Sequence, residues 1–481
     1  MNRVAIKKKA AVFLFSSVLI TSVFTMGTSC VKGCKLPFVF EVPKFLLPKQ
    51  SDRINFKWPE TKNIIVMISD GCGFNHIDAA SCYQYGKTGT QVYEKFPLKC
   101  AMSTYSLGSY DSKQAWENFE YVMSGATDSA ASATAMSTGK KTYDAAIGVD
   151  VSENPIKNIV EKAEEYGKST GVVTSVELSH ATPAGFIAHN SGRGNYEDIA
   201  KEMIISSKTD VIMGAGNPWF DGNGIKVDEP YSFEFVGGQS VWDGLLNRTL
   251  KVADSDGDGK SDPWTLIQSK NDFQKLKYGK TPKRILGVAE VNSSLQQGRS
   301  GDYNAGAYEV PLNKNIPSLA DMASGALNVL DNNKSGFLLM VESGAVDRAS
   351  HNSQSGRMIE EQISFNKAVE AVVNWVEKNS SWEKTLLIVT GDHETGYITG
   401  PGSNPDWKPI VNNGIGKMPS LQWNSCSHTN SLIPFFAKGA DTKFFFAYLD
   451  KTDSVRGKYL DNTAISKVIS KVMGLSKNNK K

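Results

Sequence analysis

The chain is 481 residues long, 40% hydrophobic and 21% charged, with 42 glycines and 18 prolines. That is an ordinary globular composition, large enough for one big α/β domain or two smaller ones, and no internal repeat or long low-complexity segment interrupts it. The net charge of +3 belongs to the start of the chain: residues 1–29 hold Arg3 and Lys7 to Lys9 but no acid, and without them the balance becomes −1, which argues for neither a nucleic acid nor an acidic partner.

In chain order, the basic start is followed by an apolar stretch over 10–24 and by small residues up to Cys30. This is the architecture of a secretory signal peptide (1–29), and it is short for a spanning helix. An uncleaved N-terminal anchor is the alternative. Cys30 follows Gly27-Thr-Ser as in a loose bacterial lipobox that lacks the usual leucine, so a lipid anchor at Cys30 is an open reading and the one expected attachment to a membrane. The expected location is outside the cytoplasmic membrane, as a periplasmic protein or an anchored lipoprotein. Export permits disulfides. Cys34, Cys72, Cys82, Cys100 and Cys426 leave the pairing unassigned, with Cys82–Cys100 one guess. Residues 30–60 are rich in Pro, Lys and aromatics and read as a tether, and 61–475 as a single catalytic domain.

From residue 63 onward, apolar runs of strand length end in polar clusters. Asn63-Ile-Ile-Val-Met-Ile-Ser leads into Asp70. Ser169-Thr-Gly-Val-Val-Thr-Ser comes shortly before His180 and Thr182. Phe337-Leu-Leu-Met-Val leads to Glu342, Asp347 and His351, and Thr385-Leu-Leu-Ile-Val-Thr-Gly to Asp392 and His393. A further run covers 210–216. Helical stretches are expected over 156–166, 196–206, 318–330 and 357–378, while 219–308 is polar and Gly-rich and reads as an irregular elaboration at a sheet edge. Val/Ile/Leu/Met runs without alternation suit strands buried on both faces, and their alternation with helices implies βαβ units. The expected fold class is therefore α/β, a doubly wound, mainly parallel central sheet flanked by helices. Ligands of such sheets bind beyond the carboxyl ends of the strands, where these clusters sit. Segments more than 300 residues apart would thus deliver Asp, Glu and His to one edge, which points to a polynuclear metal site.

Asp128 and Ser129 stand before an Ala-rich run and read as a helix start. A serine there faces free N–H groups and the positive end of the helix dipole, which suits phosphate binding; capping alone is the plainer role. Bound zinc favours His and carboxylate ligands when Cys is absent, and it lowers the pKa of a hydroxyl enough for attack. Asp347 and His351, four apart, can grip one ion. Asp392 and His393 are adjacent and diverge unless the backbone is special. Separately, Asp254, Asp256, Asp258 and Asp262, with Gly259, fit the start of a Ca²⁺ loop over 254–265, but Thr265 stands where a bidentate Glu is usual. A solvated acidic turn is the alternative.

Together these motifs resemble the alkaline phosphatases. Thr127-Asp-Ser-Ala-Ala-Ser-Ala-Thr-Ala135 is similar to their nucleophile motif, and Ser69-Asp-Gly-Cys-Gly73 to their first metal motif, usually Gly-Asp-Gly-Met-Gly. Glu342, Asp347 and His351 keep the Glu-x4-Asp-x3-His spacing, Thr390-Gly-Asp-His resembles the Thr-x-Asp-His element, and Ser427-His-Thr429 the last zinc histidine. The resemblance implies hydrolysis of small-molecule phosphate monoesters through a phosphoserine at Ser129. It implies one Zn²⁺ on Asp347, His351 and His428, a second on Asp70, Asp392 and His393, and a third ion shared by Asp70, Thr182 and Glu342. It also implies that Arg193 holds the phosphate, a task suited to a planar guanidinium. A homodimer is left open, and no nucleic acid partner is expected. His180 and Arg348 fall at positions that vary in the family, facing the phosphate or lying behind the ligands. Imidazole tolerates Zn²⁺ or Co²⁺ better than Mg²⁺, so the third ion is any of the three. Only 34 residues separate His393 from His428, too few for the large crown insertion of animal members. Two rivals remain, a phosphodiesterase or sulfatase of the same superfamily and a non-catalytic metal-binding surface lipoprotein.

Overall fold

The non-alternating apolar runs become the middle of a large sheet. The computed structural model describes residues 61–478, with side chains up to residue 474. The expected signal peptide, the tether, Cys30 and Cys34 lie outside the described residues. The strands are, in chain order, β1 (Asn63–Ser69), β2 (Leu98–Ser103), β3 (Ser169–Glu177), β4 (Val211–Ala215), β5 (Thr265–Ile267), β6 (Ile285–Val288), β7 (Phe337–Ser343), β8 (Thr385–Gly391), β9 (Glu394–Thr395), β10 (His428–Thr429), β11 (Ile433–Gly439), β12 (Lys451–Asp453) and β13 (Gly457–Asp461). The large sheet has the order β12-β13-β2-β11-β8-β1-β7-β3-β4-β6-β5, and β9 pairs with β10 beside it. Only β11 and β12 oppose the other strands of that sheet, so it is mainly parallel, as expected.

Each central strand splits its side chains between two apolar layers. Ile64, Val66 and Ile68 enter one and Ile65 and Met67 the other; Leu338 and Met340 separate from Leu339 and Val341 in the same way. Helices Ser129–Thr138, Ile159–Glu165, Ala181–Ile187 and Thr463–Asn478 cover the first layer, and Leu319–Leu330 and Ser355–Asn379 the second. Both faces are dry, which is why the runs show no polar alternation.

This topology builds the site edge. β1 lies between β7 and β8, and β3 flanks β7 on its other side. Because the four are parallel, Asp70, Glu342, the Asp392-His393 pair and the His180-Thr182 segment all emerge at their shared carboxyl edge. β11 runs antiparallel to β8, so its beginning lies at that same edge and brings His428 there.

Three expectations change. The helix expected over 156–166 starts at Ile159, because the Asn158 side chain caps it by accepting from the N–H groups of Val160 and Glu161 while Glu161 returns to Asn158. The stretch 219–308, expected to be irregular, contributes β5 and β6 to the sheet edge and carries helices Gln239–Leu246 and Lys270–Leu276; their apolar runs are too short to stand out among polar loops. Cys72, Cys82, Cys100 and Cys426 are all free thiols, so the guessed Cys82–Cys100 bridge is not formed. Cys82 sits on helix Phe74–Tyr85, whereas Cys100 is fixed in β2. No helix among the described residues is long and apolar enough to cross a membrane.

Candidate active site

Ser129 opens the helix Ser129–Thr138, and Asp128 is its cap, accepting from the Ala131 N–H at 2.9 Å. The cap frees the serine for other work: its Oγ lies 3.2 Å from Nε2 of His393. The second Asp128 oxygen accepts from Nη1 of Arg193 at 2.9 Å. The arginine is thereby anchored one residue from the serine, with Nη2 3.4 Å from Nε2 of His180.

Three donor sets converge here, each with its atoms within 4.8 Å of one another: Asp347, His393 and His428; Asp70, Asp392 and His393; and Asp70, His180 and Glu342. His351 joins the first, its Nε2 3.2 Å from Asp347 and 3.0 Å from Nε2 of His428. Asp347 and His351 lie one turn apart on helix Ala345–His351. The adjacent pair Asp392 and His393 does converge, with Oδ2 and Nε2 3.3 Å apart. The special backbone geometry is visible: Asp392 Oδ1 accepts from the N–H of His393 at 2.9 Å and from Gly71 at 3.0 Å, bending the chain as it leaves β8. Gly71 itself has φ +72°, and a Cβ there would come 2.8 Å from the Asp347 backbone, so the Asp70 loop reaches the Asp347 helix only as glycine.

A second layer orients the imidazoles. His351 Nδ1 donates to the Cys426 carbonyl at 2.7 Å, and His428 Nδ1 to the Thr127 carbonyl at 2.9 Å. The Thr395 hydroxyl donates to Asp347 and so accepts from His393 Nδ1 at 3.3 Å. Each histidine is thus held at Nδ1 from outside the site and turns Nε2 inward.

Burial pushes the Asp70 carboxyl well up, helped by repulsion from Asp392, Asp347 and Glu342. Burial likewise takes Glu342 to about 7 and Asp392 to about 6. Asp347 goes the other way: burial opposes it, but the hydrogen bond from His351 and the nearby imidazoles hold it far below the usual range. His393 is lowered by burial and by His428, and His180 by burial and by Arg348 and Arg193, so both favour neutral imidazole.

The donors fit divalent cations. Both Asp70 oxygens, Asp392 Oδ2, Glu342 Oε1, Thr182 Oγ1 and His180 Nδ1 are buried with no hydrogen-bond partner. Buried polar atoms are normally paired, and carboxylates and imidazoles in such density make up the ligand chemistry of zinc and its neighbours.

Arg348 is engaged with Glu177 and the Ser293 carbonyl, one of the two placements expected of it, and its charge acts on His180. In the acidic loop Asp254, Asp256 and Asp262 come together but Asp258 stays out. The ammonium of Lys283 contacts Asp256 and lies 2.8 Å from Asp262, so the cluster carries a cationic side chain of its own. Thr395 was not anticipated, although its spacing of two from His393 along an extended segment puts both on one side. The carbonyls of Thr127 and Cys426 leave no trace in a sequence.

The sequence profile of the alkaline phosphatase family matches residues 61–422. Alkaline phosphatase 4 of Bacillus subtilis (strain 168) is 30% identical over 396 residues, 80% of this chain and 72% of that one. Alkaline phosphatase H of Pseudomonas aeruginosa (strain UCBPP-PA14) is 30% identical over 428 residues, 82% of this chain and 83% of that one. The solved alkaline phosphatase of the Antarctic bacterium TAB5 shares the fold, with a TM-score of 0.60 at 24% identity, over 87% of this chain and 99% of that one.

Proposed function

The chain belongs to the alkaline phosphatase family and is an alkaline phosphatase, a phosphomonoester hydrolase; on that premise we propose that it works through a phosphoserine at Ser129 beside a centre of two zinc ions and a third metal. The observation that carries this is the serine hydroxyl at a helix N-terminus, 3.2 Å from His393 Nε2 and one residue from the arginine-bound Asp128.

Asp347, His351 and His428 would hold one Zn²⁺, and Asp70, Asp392 and His393 the other. Asp70 and Glu342, with Thr182, would hold the third ion. His180 within that set favours Zn²⁺ or Co²⁺ over Mg²⁺ at the third position. Bound ions would supply positive charge that lowers the serine pKa and stabilises the leaving oxygen. The chain's own residues do the rest. Ser129 Oγ attacks phosphorus in line as the ester P–O bond breaks, and water then cleaves the phosphoserine to release inorganic phosphate. The N–H groups of the Ser129 helix and the Arg193 fork face the phosphoryl oxygens, whose charge is greatest in transfer. Asp128 aims that fork. The expected domain, 61–475, is proposed as the whole catalytic unit, and export is proposed from the features of residues 1–29 alone.

Assaying the purified protein on an aryl phosphate monoester and on the matching diester, with and without EDTA, tests the proposal. Monoester turnover lost on chelation and regained with zinc is expected. A preference for the diester would reassign it within the superfamily, and full zinc occupancy without turnover would leave a metal-binding protein.

A further inference from the structure

His76 is a fully buried histidine outside all three donor sets. It is the third residue of helix Phe74–Tyr85, which begins just past the Asp70 loop. Its Nδ1 accepts from the Gly73 N–H at 3.2 Å. A backbone N–H is only a donor, so the ring proton sits on Nε2. Nε2 in turn lies 3.1 Å from Ser350 Oγ, whose hydroxyl donates to the Val346 carbonyl at 2.8 Å. The direction of every bond in this chain is therefore fixed: Gly73 to His76, His76 to Ser350, Ser350 to Val346. Burial takes the imidazole down to about 3, which keeps it neutral and the pattern intact.

The two ends of the chain matter. Gly73 stands three residues after Asp70, and Ser350 directly precedes His351 on the helix that carries Asp347. Gly71 already brings these two segments into backbone contact. Contact alone permits sliding, whereas a directed hydrogen-bond chain fixes register and rotation. The Trp423 ring meets the imidazole edge-on, with centroids 6.2 Å apart.

We propose that His76 is a positioning residue for the metal centre: through Ser350 it locks the Asp347–His351 helix against the Asp70 loop and so sets the spacing between the first two metal sites. This rests on the ligand roles given under the proposed function. Loss of an outer partner bonded directly to a ligand weakens a metal site by about 10–100-fold; His76 acts one step further out, which sets the low end of that range as the expectation.

The test compares the parent with Ser350→Ala, His76→Asn and the double variant, each stripped with chelator and reloaded. Zinc affinity is read by competition, the ligand field by the visible spectrum of the Co²⁺-loaded protein, and folding by thermal melting. His76→Asn retains an acceptor for Gly73 but cannot reach Ser350; Ser350→Ala removes little volume and decides the matter if His76→Asn does not fold. Both singles are expected to bind zinc about tenfold more weakly, with an altered Co²⁺ spectrum and kcat restored by excess zinc at unchanged KM. The double variant is expected to be no weaker than either single, since both break one chain. A parent that takes up zinc, with variants of equal affinity and spectrum, overturns the role of His76. A parent that takes up no zinc overturns the proposed function instead.

Discussion

Arg193 and Thr395 show how single side chains set the site. Arg193 gives an Nη1 hydrogen to Asp128 and an Nη2 hydrogen to His180, and under the proposed function its remaining N–H groups hold the phosphoryl group. Lysine preserves the charge but not the fork. Arg193→Lys is expected to raise KM for a monoester and weaken inhibition by phosphate by about 10–100-fold, since hydrogen bonds to charged groups contribute roughly 1.5–3 kcal/mol; steady-state kinetics with phosphate titration would show it, and unchanged values would remove Arg193 from the phosphate site. Thr395 joins Asp347, of one donor set, to His393, shared with the next. Thr395→Val keeps the shape and deletes the bridge, so zinc affinity measured by chelator competition should fall about 10–100-fold. At this scale the clusters of Asp, Glu and His after apolar runs were legible, while their proposed division among ions came from the family resemblance. The carbonyl partners were not legible, since every residue has one.

Elements carry the pH dependence of stability. His189 ties helix Ile159–Glu165 to the helical segment at Glu202: its Nδ1 is 3.0 Å from Glu202 and its Nε2 3.5 Å from Glu161. Burial alone would lower its pKa, but the two carboxylates raise it to about 10. A raised pKa means stability that is full below the ordinary value of 6.5 and lost as pH climbs towards 10. Glu161 is shifted down, with burial opposing and His189 the main cause, so its contribution is full above its ordinary 4.5 and lost in acid. The melting-temperature gap between the parent and His189→Gln is therefore expected to be widest between about pH 4.5 and 6.5 and to close near pH 10; a gap independent of pH would contradict the pairing. The parallel strands around the site were readable as apolar runs. β11 was not: its Pro434 and its reversed direction give no hint that it delivers His428, and only the pairing with β8 reveals it.

Across the whole molecule, the parallel sheet and one reversed strand collect donors spread from Asp70 to His428 into a site that buries Asp70, Asp392, Glu342 and Asp347 together. Such a group of carboxylates opposes folding unless cations compensate it. Chelation is thus expected to lower the melting temperature by roughly 5–10 °C as well as to stop turnover, with zinc restoring both, because each ion bound at 100 times its Kd adds about 2.7 kcal/mol. An unchanged melting curve in excess EDTA would mean the site is stable empty. That convergence could be inferred from strand-then-cluster patterning; the sharing of His393 between two donor sets, and the entry of His180 into the third, depend on side-chain directions that spacing does not encode. The most direct measurement is acid quenching of the zinc-loaded protein during turnover of a labelled phosphate monoester, followed by mapping of the modified peptide. Label on Ser129, absent in Ser129→Ala, is the expected result. Turnover with no covalent label, or with label on another residue, would contradict it.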